Sequence, residues 1–331
     1  MKTIRTPWMV WRVAAVVVGL TLAACGGNGG GGQSGVTYSG VTTQATVTDS
    51  NAVAIATTAY QGGNSGGALA LVGAVVNGVD GSGVGAGGVR ALTVSRVLED
   101  AVRTARLGSP SSARVAAGAA VSVSDNLDPG TCGGSASYSG TANDVTGAFN
   151  ATFTFDGWCN DGVTVSGTVT ASGQIDLSGP TPGLVSLEFS FTVLTVSDGA
   201  DTFSGRGTIS ATFGTSESLT IDMDLQGSDG KIYRASSLVA TVSPTAGGDS
   251  VTIEGRFYHP DHGYVDVTTP TPFVVASGDS TPLSGQLVVT GSNGSQARLT
   301  VLSSTTFQVE IDADGDGTDE STLGPFNWTD V

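Results

Sequence analysis

The densest chemistry in this 331-residue chain is a run of alternating acids near its end: Asp312, Asp314 and Asp316, then Gly317, Asp319 and Glu320. Ca2+ takes about six to eight oxygen ligands, and an alternating Asp turn aims its carboxylates at one point. Gly317 supplies the bend, and the backbone carbonyl of Thr318 adds a ligand. The expected cofactor is a structural Ca2+ held by Asp312, Asp314, Asp316, Thr318, Asp319 and Glu320. The plainer reading is an acidic hairpin turn, where Asp and Gly are common anyway. Carboxylates packed this closely repel one another unless a cation stands among them.

The run resembles the Ca2+-binding loops of the EF-hand, dockerin and thrombospondin type-3 kind. It departs from the EF-hand at the twelfth loop position, which is Leu323 and not Glu, so Asp319 or Glu320, or else another segment, must close the site. The preceding residues, Phe307 to Ile311, alternate like a strand and not like a helix. A second group, His259-Pro260-Asp261-His262, has ligands for a transition metal but no third strong ligand nearby. Apolar alternation on both sides makes it the turn of a hairpin. A third, Gly63-Asn64-Ser65-Gly66-Gly67, resembles the nucleophile segment of trypsin-fold proteases of the HtrA type. That family needs a His upstream of the Ser, and none precedes Ser65, so it reads as a Gly-rich loop. Trp158 and Trp328 are candidate sugar-stacking platforms, but a Trp beside Cys159 is more naturally packed on a disulfide.

Composition narrows the function classes. Thirteen Lys and Arg stand against 29 Asp and Glu, a net charge of −16. So few cations build no basic patch for nucleic acid. Fifty Gly and only 13% charged residues exclude a coiled coil or helical bundle, while 39% apolar residues suffice for a core.

Positions 1–24 have the parts of an export signal. Lys2, Arg5 and Arg12 are followed by the apolar stretch Val13 to Leu22, too short to span a bilayer. It runs into Leu22-Ala23-Ala24-Cys25, which resembles a bacterial lipobox. The resemblance implies a lipoprotein: cleavage before Cys25, acylation of that residue, and a membrane partner engaged through acyl chains. Gly26 is not the Asp that marks inner-membrane retention, so the outer membrane is the expected address. Removing residues 1–24 takes away three cations and no anion, leaving a net charge of −19. The anchor, not charge, must then hold the body at the membrane. In an oxidising compartment Cys132 and Cys159 are expected to pair.

The elements that must position these residues follow from periodicity. Residues 25–40 hold the lipidated Cys and a Gly-rich tether. Residues 41–127 form a helical and Gly-rich region with two expected helices. Asp49 or Ser50 caps the first, Asn51 to Tyr60, which Gly62 stops. In the second, Val94, Val97, Leu98, Ala101, Val102 and Ala105 form one stripe.

From residue 128 to 331 the period is two, as in Val185, Leu187, Phe189, Phe191 and Val193. Turn pairs recur, among them Asp229-Gly230 and Asn293-Gly294. A faint internal echo links Ser166-Gly167-Thr168-Val169 to Ser204 through Ile209.

The expected fold is mainly β: an antiparallel meander of roughly a dozen strands with two N-terminal helices, curved as a half-barrel, or else a sandwich. The expected role is non-enzymatic, structural or binding, at the cell envelope. The alternatives are a carrier of an apolar ligand such as a lipid and, more distantly, an enzyme acting on polysaccharide.

Overall fold

The computed structural model describes residues 36–62, 120–126, 130–160, 163–178, 183–197, 202–226, 230–277 and 281–328. Fourteen strands form one antiparallel sheet in strict sequence order, and the first and last are not hydrogen-bonded to each other. They are β1 (Ala120–Asn126), β2 (Gly133–Asn143), β3 (Ala148–Asn160), β4 (Val163–Asp176), β5 (Gly183–Ser197), β6 (Thr202–Thr212) and β7 (Glu217–Gln226). The second half is β8 (Ile232–Thr245), β9 (Gly248–His259), β10 (Gly263–Ala276), β11 (Pro282–Thr290), β12 (Gln296–Val301), β13 (Thr306–Asp312) and β14 (Ser321–Asn327). The meander is as expected. The sandwich is overturned, because all the strands share one continuous ladder.

The period-two reading holds in detail. On β5, Leu187, Phe189 and Phe191 are buried, while Glu188, Ser190 and Thr192 are exposed. On β7, Leu219 and Ile221 face the core and Asp222 faces solvent. Side chains such as Leu238, Ile253 and Phe273 are essentially fully buried, each contributing about 1.5–3 kcal/mol by transfer from water.

One α-helix, α1 (residues 52–62), occurs among the described residues, not two. The segment expected to form the second, 94–106, lies outside the described residues, as do Ser65 and Cys25. Ala52, Ile55, Ala56 and Ala59 of α1 are wholly buried, as their spacing requires. Neither Asp49 nor Ser50 caps the helix. Ala52 N donates to the Thr48 carbonyl, and Thr48 N donates to Asn51 Oδ1, so Thr48 and Asn51 close the first turn. The Asn51 side chain also donates to the Thr46 carbonyl, which leaves Asp49 free to point elsewhere.

The sheet curls around α1. Tyr60 packs edge-on against Phe273 of β10 (ring centroids 4.9 Å apart) and at a tilt against Trp328, just past β14 (5.1 Å). In a flat sheet β10 and β14 would lie about 19 Å apart. One ring reaches both only because the strands bend toward each other.

A bulge shows one source of the bend. Thr192 and Val193 of β5 oppose a single residue on each side, between Phe191 and Leu194. Gly167 of β4 and Gly207 of β6 flank it, at φ of +129° and +143°. A Cβ at Gly207 would lie 2.2 Å from the Asp222 carbonyl oxygen, and one at Gly167 2.4 Å from that of Val193. The internal echo seen in the sequence is therefore a pair of glycines serving one bulge, not a repeat.

Candidate metal centre and the strap beside it

The loop joining β13 to β14 gathers four carboxylates. One ligand oxygen from each of Asp312, Asp314, Asp316 and Glu320 lies within 4.8 Å of the others, a grouping able to hold a metal ion. The local sequence explains the gathering. Asp312 ends β13 and is buried; its two oxygens accept from Gly315 N (2.7 Å) and Gly317 N (2.9 Å). Those bonds wind the chain around the Asp312 carboxylate, and Gly315 and Gly317 follow at φ of +78° and +90°. Asp314 accepts from Asp316 N, and Asp316 accepts from Thr318 N, each a turn held by the side chain two residues earlier. Glu320 reaches back to accept from Ala313 N at 2.6 Å.

The other two expected ligands fare differently. The Asp319 carboxylate is turned onto Arg298 of β12 at 2.7 Å, so Glu320 and not Asp319 completes the group. The Thr318 backbone N–H donates to Asp316 Oδ1, which leaves its carbonyl, the expected ligand, on the same turn. Four negative oxygens on a wound loop suit a hard cation, and Ca2+ tolerates the irregular geometry. The sequence alone could not choose between two adjacent acids. The choice belongs to Arg298, which β12 places across from Glu310 of β13, beside the loop.

The same end of the sheet carries a feature the sequence did not signal. Residues 36–49 form an extended strap past the end of β7 and along the β9–β10, β11–β12 and β13–β14 connections. Tyr38 N donates to Asp224 Oδ2 on β7, and Tyr38 Oη donates to the His259 carbonyl. Val41 N donates to the Pro260 carbonyl, and residues 43–45 pair with Tyr264. Ser292 N donates to the Ala45 carbonyl, and Val47 N donates to Ser295 Oγ. The strap then meets the acidic loop's far side, where Ser321 Oγ donates to Asp49. Partners that lie 186 to 272 positions apart are invisible to any local pattern.

Asp224 is a buried, charged partner of the strap. Arg234 holds it through both Nε (2.6 Å) and Nη2 (3.1 Å). Burial pushes its carboxyl up, but the Arg234 hydrogen bond, the Tyr38 N–H and the charges of Arg234 and Arg206 outweigh that and hold it below the ordinary aspartate range. Burial also pushes the Tyr38 phenol up, to about 12.

His259 and His262 stack with ring centroids 4.4 Å apart, but Asp261 is spent on Lys231, and its backbone N–H donates to His259 Nδ1. The segment is the β9–β10 turn, as its flanks required. Trp158 and Trp328 are both buried in the core, Trp158 against Phe155 and Trp328 against Phe307. Neither is a sugar platform. Cys132 and Cys159 form the expected disulfide.

The fold and centre thus define a class: an open antiparallel meander wrapped on a helix, with an acidic loop at the end where the strap lies. Comparison with protein-family models, curated proteins and solved structures finds no match.

Proposed function

We propose that this chain is an outer-membrane lipoprotein, anchored by acyl groups on Cys25, whose body has a non-enzymatic structural or binding role at the envelope. We further propose that a structural Ca2+ sits in the loop of Asp312, Asp314, Asp316 and Glu320. The observation that carries the first reading is the ordered sequence of cations, a ten-residue apolar stretch and Leu22-Ala23-Ala24-Cys25. The strap supports it: an anchor at Cys25 is followed, eleven residues on at Val36, by chain tied to the sheet from Thr37 and Tyr38 onward. The disulfide agrees with an oxidising address.

The Ca2+ reading is supported by the convergence of the four carboxylates and by the backbone bonds that hold them there.

The carrier reading needs a hollow concave face. Beneath β8 to β10 that space is taken by α1, with Tyr60 on Phe273 and Gly62 3.0 Å, at the position of an added Cβ, from Phe257. The helix filling that part of the concave face supports the structural reading over the carrier. Intact-mass measurement of membrane-extracted protein tests the anchor directly. Fatty-acid mass on an N-terminal Cys25, and release of a Cys25→Ala variant into the soluble fraction, are the expected results. A mature chain starting elsewhere, or one without added mass, overturns it.

A further inference from the structure

The β9–β10 turn, residues 259–263, carries both histidines of the chain, and the strap lies on it. Tyr38 Oη donates to the His259 carbonyl at 3.1 Å, and Val41 N donates to the Pro260 carbonyl at 2.9 Å. Between those two bonds, a Cβ at Gly40 would lie 2.6 Å from Pro260 Cα, so strap and turn touch backbone to backbone. The seating of residues 38–41 therefore depends on the shape of this turn.

The turn is folded on the His259 imidazole. That residue is buried, and its Nδ1 accepts the Asp261 backbone N–H at 3.2 Å. Only a neutral ring can do this, because a protonated imidazole carries N–H at both nitrogens and accepts nothing. The His262 ring stacks on it with centroids 4.4 Å apart, and Tyr233 meets it edge-on at 5.4 Å. Two positive rings at that spacing would repel each other. Asp261 and Lys231 also stand here, paired with each other. Asp261 attracts a charged imidazole, but Lys231 neutralises that carboxylate. The Lys231 hydrogen bond holds the Asp261 carboxyl below the ordinary aspartate range, so it stays ionised while imidazoles titrate. On the strap side is the Tyr38 phenol, pushed up to about 12 by burial, and beyond it Asp224 and Arg234, paired with each other. Among the described residues packed here, the two histidines are the groups that change charge between about pH 5 and 8.

We propose that His259 is a pH-sensitive latch for the strap. Neutral, it folds the turn that receives Tyr38 and Val41; protonated, it must give up the Asp261 N–H, and the turn lets the strap go. The sign follows from linkage. The latched state needs His259 without its second proton and the released state does not, so acid favours release. A free imidazole titrates near about pH 6.5, so release develops as the pH falls below that value. The rest of the strap does not depend on the histidine. Ala45 and Val47 are held by Ser292 and Ser295, and Asp49 by Ser321. Release is therefore confined to residues 38–41 and leaves the sheet folded. The latch stands apart from the anchor and from the cation loop, and its failure leaves both readings as they were.

The test is amide hydrogen exchange on the full chain at about pH 7.5 and about pH 5.5, either side of the imidazole range. Protection is expressed relative to each amide's intrinsic rate at that pH. The Val41 and Asp261 amides should lose about tenfold in protection at the lower pH, one pH unit's worth of protonation. The Val47 amide, bonded to Ser295, should not change. His259→Asn places an amide oxygen near the Nδ1 position and does not titrate, so it should keep Val41 protected at both values. His262→Asn should keep the wild-type response. Equal Val41 protection at both values in the wild type overturns the latch. So does a loss that persists in His259→Asn protein whose melting shows that it is folded. Without any variant, the His259 ring proton shifts of the wild type should titrate with the same midpoint as the Val41 change, and separate midpoints also overturn it.

Discussion

The hydroxyl of Ser321 donates to the carboxylate of Asp49 at 2.6 Å, across 272 positions of sequence. It joins the start of β14, just beyond the acidic loop, to the strap just before α1. The contact belongs to a series that begins at Thr37 on Arg206 and ends at this carboxylate, so the strap is tied down at both ends.

Breaking that contact should loosen the strap's end without unfolding the sheet. Ser321→Ala removes one exposed bond to a charged acceptor, worth about 0.5–1.5 kcal/mol. Asp49→Asn should lose less, because an amide oxygen still accepts. Urea unfolding of both variants, with unchanged m-value, checks the order.

Ca2+ should raise the melting temperature of the wild-type protein, and an Asp314→Ala, Asp316→Ala double variant should lose that response. Asp319→Asn is the discriminating control. Because Asp319 is paired with Arg298 and lies outside the four-oxygen group, its variant should keep the Ca2+ response. Identical wild-type melting with and without Ca2+ removes the ion from the account.

Asp224 gives a pH dependence of known sign. Its folded pKa lies below the ordinary 3.8. Its stabilisation is therefore complete above the unfolded value and fades as pH falls through the lower folded one. Asp224→Asn should destabilise by about 1–3 kcal/mol at neutral pH, since Arg234 and Tyr38 N lose a charged acceptor. The gap between variant and wild type should close as the medium is acidified below pH 4 (roughly the free aspartate value). A gap that stays constant from neutral pH down to about pH 2 would contradict the assignment.

Asp249, at the start of β9, has the opposite sign. Burial raises its pKa above 3.8, so the fold prefers it protonated, and its effect on stability worsens as pH rises through the folded value. Asp249→Asn should therefore melt higher than wild type at pH 7 (well above the carboxylate range) and match it in acid. Calorimetry at the two pH values decides this.

The Cys132–Cys159 bond closes a loop with a sequence separation of 27. On the chain-entropy model it stabilises by about 3.5 kcal/mol. Replacing both cysteines with Ser should cost close to that in urea unfolding. A loss under about 1 kcal/mol would mean that the unfolded chain is already restricted there.

What the sequence determined by itself was local and periodic. Alternation of Leu187, Phe189 and Phe191 with polar neighbours assigns a strand and its inner face, because a pleated chain repeats every two residues. Ala52, Ile55, Ala56 and Ala59 likewise assign α1 and its buried stripe. The acidic loop was legible because its ligands sit within nine residues of one another.

What tertiary structure decided was everything that depends on register and curvature. The meander could have become a sandwich, since both satisfy the same alternation. The register decides for one sheet of fourteen strands, with a bulge at Thr192–Val193 between Gly167 and Gly207. The helix is capped by Thr48 and Asn51, while the Asp49 carboxylate meets Ser321, a partner far away in sequence. Glu320 replaced Asp319 in the cation group because Arg298 stands one strand away. The cross-strand row of Arg206, Asp224, Arg234, Tyr258 and Tyr264 exists only once five strands are in register. Short-range patterns record which way a side chain points; they hold no record of which distant residue will meet it.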